Sequence, residues 1–166
     1  RHTRFLYVSG LGDVYKRQLL AQYNFCIDLN EGMVKKSENV RLTLNQKARE
    51  LDKQKQDFQT KYQNNAYLSP ERAQQEYNRI AKLEQDLQTL SNKLQSELMS
   101  ENEKNSLQLR DSINAFLKEY NKTKGYSMII SNTGFDNLLY ADSIYNITKE
   151  IVEGLNARYS SPAPKK

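Results

Sequence analysis

The stretch "IAKLEQDLQTLSNKLQSEL", Ile80 to Leu98, decides how the chain must be read. Its apolar residues are Ile80, Leu83, Leu87, Leu90, Leu94 and Leu98, stepping by 3, 4, 3, 4 and 4. Three-and-four spacing places all six on one stripe of an α-helix and is close to a coiled-coil seam, with a stutter at its end. The stripe continues more loosely through Leu109, Ile113, Phe116, Leu117 and Tyr120. Upstream, Val40, Leu44, Ala48, Leu51, Phe58 and Tyr62 mark one face of an earlier helix, coated by charged residues such as Lys47, Lys55 and Lys61.

The boundaries of these helices are also written in the sequence. Pro70 is unsuited to a helix interior but fits the first helical position, with Ser69 as N-cap. One helix therefore ends near Asn64 to Ala66 and a second begins at Pro70. So short a connection makes them antiparallel neighbours. Lys118, Lys122 and Lys124 suit the negative end of the second helix dipole, and Gly125 suits its C′ position. At 1.5 Å per residue, a helix over 70–124 is roughly 80 Å long. That exceeds the diameter of a globule of 166 residues, so the hairpin is expected to project as an arm.

Composition agrees. Of the 166 residues, 37% are hydrophobic and 27% charged, with only three prolines and six glycines. With a mean hydropathy of −0.86, that is too polar for a deep core and too poor in breakers for disorder. The net charge of +5 and pI near 9.2 read as a solvated surface with a slight lysine excess, since no Lys/Arg run exceeds two residues. Residues 35–125 carry 17 Lys/Arg against 13 Asp/Glu, an excess of four with the signs mixed, which argues against nucleic acid.

Nothing announces catalysis. There is no phosphate-binding glycine loop, no nucleophile elbow and no zinc-protease motif. The one histidine is His2. The one cysteine, Cys26, lies between Phe25 and Ile27 and reads as a small buried hydrophobe; it allows no intrachain disulfide. The chain is thus expected not to be an enzyme and to need no metal or cofactor. Asp136 and Asp142 read as turn or strand-end residues. The N-x-[ST] matches at Asn121 and Asn146 are at chance level. Neither a membrane span nor a signal peptide is visible.

The two ends differ from the middle. "RHTRFLYVSGLGDVYKRQ", residues 1–18, lacks helical period and is set aside as a non-native leader, although Phe5 to Val8 has the composition of a short strand. "LLAQYNFCIDL", Leu19 to Leu29, is apolar and expected to pack on the body. "YSMIIS" and "NLLYAD" read as two strands of a hairpin turning through "NTGF". Asn146 then caps a short helix whose apolar face is Ile147, Ile151, Val152 and Leu155.

The expected fold is mainly α with a small β base: a long antiparallel helical-hairpin (coiled-coil) arm projecting from a small oligomerising β/α domain. Residues 19–34 and 121–159 form the base, 35–120 the coiled-coil arm with its tip near 64–70, and 160–166 a disordered tail.

The C-terminal part carries a resemblance. "FLKEYNKTKGYSMIISN…NLLYAD…NITKEIVEGLN", Phe116 to Asn156, resembles the signature of the Skp (OmpH-like) periplasmic chaperone family in its Bacteroidetes-type form. There "GY", a strand, a turn, "LYAD" and "DITKEVLEGLN" follow in order; here Asn146 stands for the usual Asp and keeps its capping role. "LLAQYNFCIDLNEG", Leu19 to Gly32, resembles the segment after the family's first strand, which reads roughly "IAYVN". The resemblance covers about 19–159, with the middle helices matching in pattern only.

It implies a homotrimer in the periplasm of a Gram-negative bacterium, holding unfolded outer-membrane proteins between its arms without ATP. Candidate oligomer-interface residues are Met128, Ile130, Leu138, Tyr140, Ile151 and Leu155. Candidate client-binding residues are Phe58, Tyr62, Tyr67, Tyr77, Lys47, Lys55 and Lys61. Arm-tip cations allow a weak contact with anionic lipid. The alternative is a non-enzymatic coiled-coil scaffold, which accounts for the helices but not for the strand-bearing end.

Overall fold

The computed structural model describes residues 11–132 and 140–160. In chain order they form strand β1 (Leu11–Tyr15), helix α1 (Lys16–Gln22), helix α2 (Asn24–Gln63), helix α3 (Pro70–Lys124), strand β2 (Met128–Asn132), a 3-10 turn (Ser143–Tyr145) and helix α4 (Thr148–Ser160). The chain divides into two compact units, residues 32–103 and the described residues on either side of them.

The 32–103 unit comprises α2 from Gly32 onward, the connection, and α3 as far as Glu103. Lys36 pairs with Glu101 at 3.5 Å and Lys55 with Glu84 at 2.7 Å, so one partner's number falls as the other's climbs. The two helices are therefore antiparallel. Ile80 and Leu51 are buried in the seam; Leu83, Leu87, Leu90, Leu94 and Leu98 are half-buried, as a two-helix contact requires. The connection closes as the sequence specifies. Asn65 takes a left-handed φ of 52°, the Ala66 N–H reaches the Lys61 carbonyl at 2.9 Å, and the Asn65 N–H reaches that of Tyr62. This is a Schellman motif with Asn where glycine is commoner. Ser69 Oγ then accepts the Arg72 N–H at 3.3 Å, capping α3 with Pro70 in its first turn.

The second unit holds the core. Ile151 and Leu155 of α4 are 0% exposed and pack with Val14, Leu19, Tyr23, Cys26, Ile147 and Val152. Against them lie Leu109, Ile113, Phe116, Leu117 and Tyr120 of α3. Those five α3 residues fall within the expected arm, 35–120, yet the boundary between units comes at Glu103/Lys104. The apolar stripe crosses that boundary, more loosely beyond it, and packing is what marks the division.

The sheet departs from the expected hairpin. β2 coincides with "MIISN", but it pairs in parallel with β1, Leu11 opposite Met128 and Tyr15 opposite Asn132. Parallel strands need a long crossover, and α1, α2 and α3 supply it. β1 lies inside the segment set aside as a leader: residues 11–15 form a strand, and Val14 belongs to the core. Gly12 sits at a close approach: a Cβ there would stand 2.6 Å from Ile147 Cδ1, the end of a side chain that would have to shift. Of the expected second strand, Tyr140 to Asp142 is irregular and leads into the 3-10 turn. Residues 133–139, with the "TGF" of the turn, Asp136 and Leu138, lie outside the described residues, as do Phe5 to Val8 and 161–166.

Candidate functional site

Two regions carry the candidate residues, one in each unit. In the base unit, α4 is fastened at both ends. At its start, the Ile147 N–H donates to the Asp13 carbonyl at 3.0 Å, and Thr148 Oγ1 accepts the Tyr15 N–H at 2.9 Å. Asn146 Oδ1 accepts the Thr148 N–H at 3.0 Å, the capping role expected of it. Further along, Asn156 brackets the break between α1 and α2: its Oδ1 accepts the Asn24 N–H at 2.8 Å and its Nδ2 donates to the Gln22 carbonyl at 2.9 Å. Gly154 lies so near Phe116 of α3 that a Cβ would stand 2.3 Å from its ring.

The end of α3 is locked to the same helix. Gly125, at φ 69°, donates its N–H to the Asn121 carbonyl, an αL cap. The Asn121 amide brackets Tyr126, accepting its N–H at 2.7 Å and donating to its carbonyl at 2.9 Å. Glu150 of α4 accepts both the Tyr120 hydroxyl at 2.6 Å and Lys124 Nζ at 2.8 Å. Lys124 and then Tyr120 hold the Glu150 carboxyl below its usual range. Burial, helped by Glu150, pushes the Tyr120 phenol well above its own. Burial also raises the Cys26 thiol, while the Asn30 amide at 3.6 Å opposes that effect. Cys26 is a packed apolar side chain, as its neighbours suggest, and not a nucleophile's thiolate.

The candidate interface residues separate into three groups. Ile151 and Leu155 fill this chain's own core, so their burial needs no second subunit. Met128 and Tyr140 are exposed, at 56% and 81%. Ile130 is half-buried and lines an open apolar groove of about 610 Å³ with Leu19, Leu109, Ile113 and Leu117. The periodic stripe of α3 foreshadowed the groove's residues, but nothing local foreshadowed its shape. Asp13 is buried beside the groove strand. Its Oδ2 accepts Asn132 Nδ2 at 3.2 Å, and its Oδ1 has no hydrogen-bond partner among the described residues.

In the helical unit, the aromatic candidates form one cluster around the hub Phe58. Tyr62 stacks on it at 5.9 Å, and Tyr67 and Tyr77 approach at 5.7 and 6.2 Å. The sequence placed these residues near the connection but gave no sign that Phe58 is their common centre. Leu68, on the connection itself, is 97% exposed. Of the candidate lysines, Lys47 and Lys61 are exposed, whereas Lys55 is half-buried in its pair with Glu84. Neighbouring charges are satisfied within single helices: Arg79 holds the Glu76 carboxyl below its usual range and Arg41 does the same for Glu38. Val34, Leu42 and Met99 add exposed apolar side chains along the helices.

Among the described residues there is no group of three or more His, Cys, Asp or Glu placed to hold a metal ion, and no helix long and apolar enough to cross a membrane. Among the described residues no acid, base and nucleophile converge. The geometry presents a spread of exposed apolar side chains on wet helices, and a tightly fastened base.

A family described as "Outer membrane protein (OmpH-like)" matches residues 11–155. Among solved structures, a candidate outer membrane chaperone (OmpH-like) from Caulobacter crescentus CB15 superposes with a TM-score of 0.81 at 13% identity, covering 100% of this chain and 95% of that one. At that identity the likeness speaks for the fold, a pair of long helices with a small sheet. Comparison with curated proteins gave no match.

Proposed function

Because this chain belongs to the OmpH-like family, we propose that it is an ATP-independent holdase chaperone for unfolded outer-membrane proteins in the periplasm of a Gram-negative bacterium, working as a homotrimer. The observation that carries the reading is the surface of the 32–103 unit. Val34, Leu42 and Met99 are exposed singly along the helices, and Tyr62, Tyr77 and Leu68 are exposed near the connection, where the two tyrosines share the Phe58 cluster. Such a surface holds an unfolded chain through many weak apolar contacts, each worth a fraction of the ~1.5–3 kcal/mol of full burial. None is strong enough to compete with the client's own folding. A holdase of this kind needs no nucleotide site and no catalytic group.

The base would gather the arms, and the mixed charges would keep them soluble with or without a client. Lys47, Lys61 and the aromatic cluster around Phe58 are the proposed first contacts, and the cations there allow a weak secondary contact with anionic lipid. The test is light scattering from an unfolded outer-membrane barrel protein diluted from urea at low salt without ATP. Stoichiometric protein is expected to suppress aggregation. Unchanged aggregation contradicts the proposal.

A further inference from the structure

The base unit shows two complementary features that its described residues leave unmatched. The first is the apolar groove of about 610 Å³ lined by Leu19, Leu109, Ile113, Leu117 and Ile130, whose wall also includes the cations Lys16 and Arg110. The second is the segment 140–145, where Tyr140 is 81% exposed, Ile144 76% and Tyr145 39%. This segment is not a loose coil. Asp142 Oδ1 accepts the Ile144 N–H at 3.0 Å and the Tyr145 N–H reaches the Asp142 carbonyl at 3.0 Å, which fixes a 3-10 turn with Ile144 inside it. A rigid turn that presents isoleucine to water loses apolar burial that a partner can restore.

We infer that the 140–145 turn of one copy inserts Ile144 into the Leu109/Ile113/Leu117/Ile130 groove of a second copy, with Asp142 facing Lys16 and Arg110. The occupant is assigned by charge as well as by shape. The groove is apolar and carries two cations, and the turn is apolar and carries one carboxylate. The side chain of Arg110 is 64% exposed and its ion-pair contact among the described residues is a 3.6 Å one with its neighbour Asp111, which leaves its charge accessible to an incoming anion. Turn and groove share no residue. The contact is therefore between unlike patches, and every copy offers one of each. Contacts of this type propagate head to tail and close into rings when the rotation permits. The inference rests on the homotrimer reading and specifies which surfaces make it.

The test uses the full chain and reads its mass by light scattering after gel filtration, with far-UV circular dichroism as the check on folding. Ile144→Glu drives a charge into the groove and is expected to raise the dissociation constant at least about tenfold, giving monomer at low micromolar concentration with helicity unchanged. Arg110→Glu is expected to weaken the ring as well, and adding Asp142→Arg to it to restore the mass. In a Cys26→Ala background, copies carrying both Ile144→Cys and Asn114→Cys are expected to cross-link on oxidation into a covalently closed ring. Covalent dimers alone would indicate a two-fold exchange and overturn the ring. An oligomer whose mass ignores Ile144→Glu, or whose Ile144→Cys/Asn114→Cys pair fails to cross-link, overturns the turn-in-groove assignment while leaving the homotrimer reading in place. A wild-type chain that is monomeric at high concentration overturns both.

Discussion

The two units of this chain bury apolar side chains by different means. In the base unit, α4 is enclosed by β1, α1 and α3, so Ile151 and Leu155 lose all contact with water. In the 32–103 unit, two helices have only each other, so the leucines of the seam stay half-exposed however regular their spacing. A side chain between two helices can be covered on one side only; one among four elements is covered all round. The base is therefore where side chains are buried most deeply, and the helical pair is where the seam itself stays partly open to water.

The largest expected effect follows from that contrast. Leu155→Ala should lose about 2–5 kcal/mol, whereas Leu90→Ala, at a half-buried seam position, should lose about 1 kcal/mol. Urea unfolding followed by circular dichroism compares them; equal losses would erase the distinction between the units. The glycines sharpen it. Gly154→Ala forces a methyl group against the Phe116 ring and should cost about 1–3 kcal/mol. Gly32→Ala meets nothing within 4 Å inside α2. It should stabilise the helix by about 0.5–1 kcal/mol. Opposite signs in the same unfolding assay are the expected result.

The carboxylates give the smallest effect. Glu150 joins α4 to α3, whereas Glu38 and Glu76 pair within their own helices. The Glu150 carboxyl is depressed, so its contribution is present above the ordinary glutamate range and is lost as pH falls through the folded value. Wild type should exceed Glu150→Gln in urea midpoint at pH 7, and the two should converge as the pH drops below the ordinary glutamate range. Substituting Glu76 should barely change the midpoint at either pH, since exposed pairs within one helix contribute little.

How much of this was legible depended on how local the signal was. The seam from Ile80 to Leu98, the Ser69–Pro70 start and the Gly125 stop are all written within a turn or two of where they act, and they read correctly. The apolar face of α4 was equally clear, but its destination was not. Four apolar residues in a short helix look alike whether they serve another subunit or, as Ile151 and Leu155 do, the chain's own core. β1 was illegible for a different reason. Its partner β2 is over a hundred residues away, its pairing is parallel, and its Gly12 lies against Ile147, brought in from the far end of the chain. The groove and the Phe58 cluster are products of packing between segments, and no spacing rule within one segment encodes them.

The central claim is that clients are held diffusely along the 32–103 unit and not at one discrete spot or on the base. Site-specific photo-cross-linking of an unfolded outer-membrane barrel protein, with the probe placed in turn at Val34, Leu42, Tyr62, Met99 and, on the base, Tyr159, tests it most directly. The account predicts cross-links of comparable yield from all four helical positions and little from Tyr159. A single dominant position, or a yield from the base that matches the helices, would contradict it.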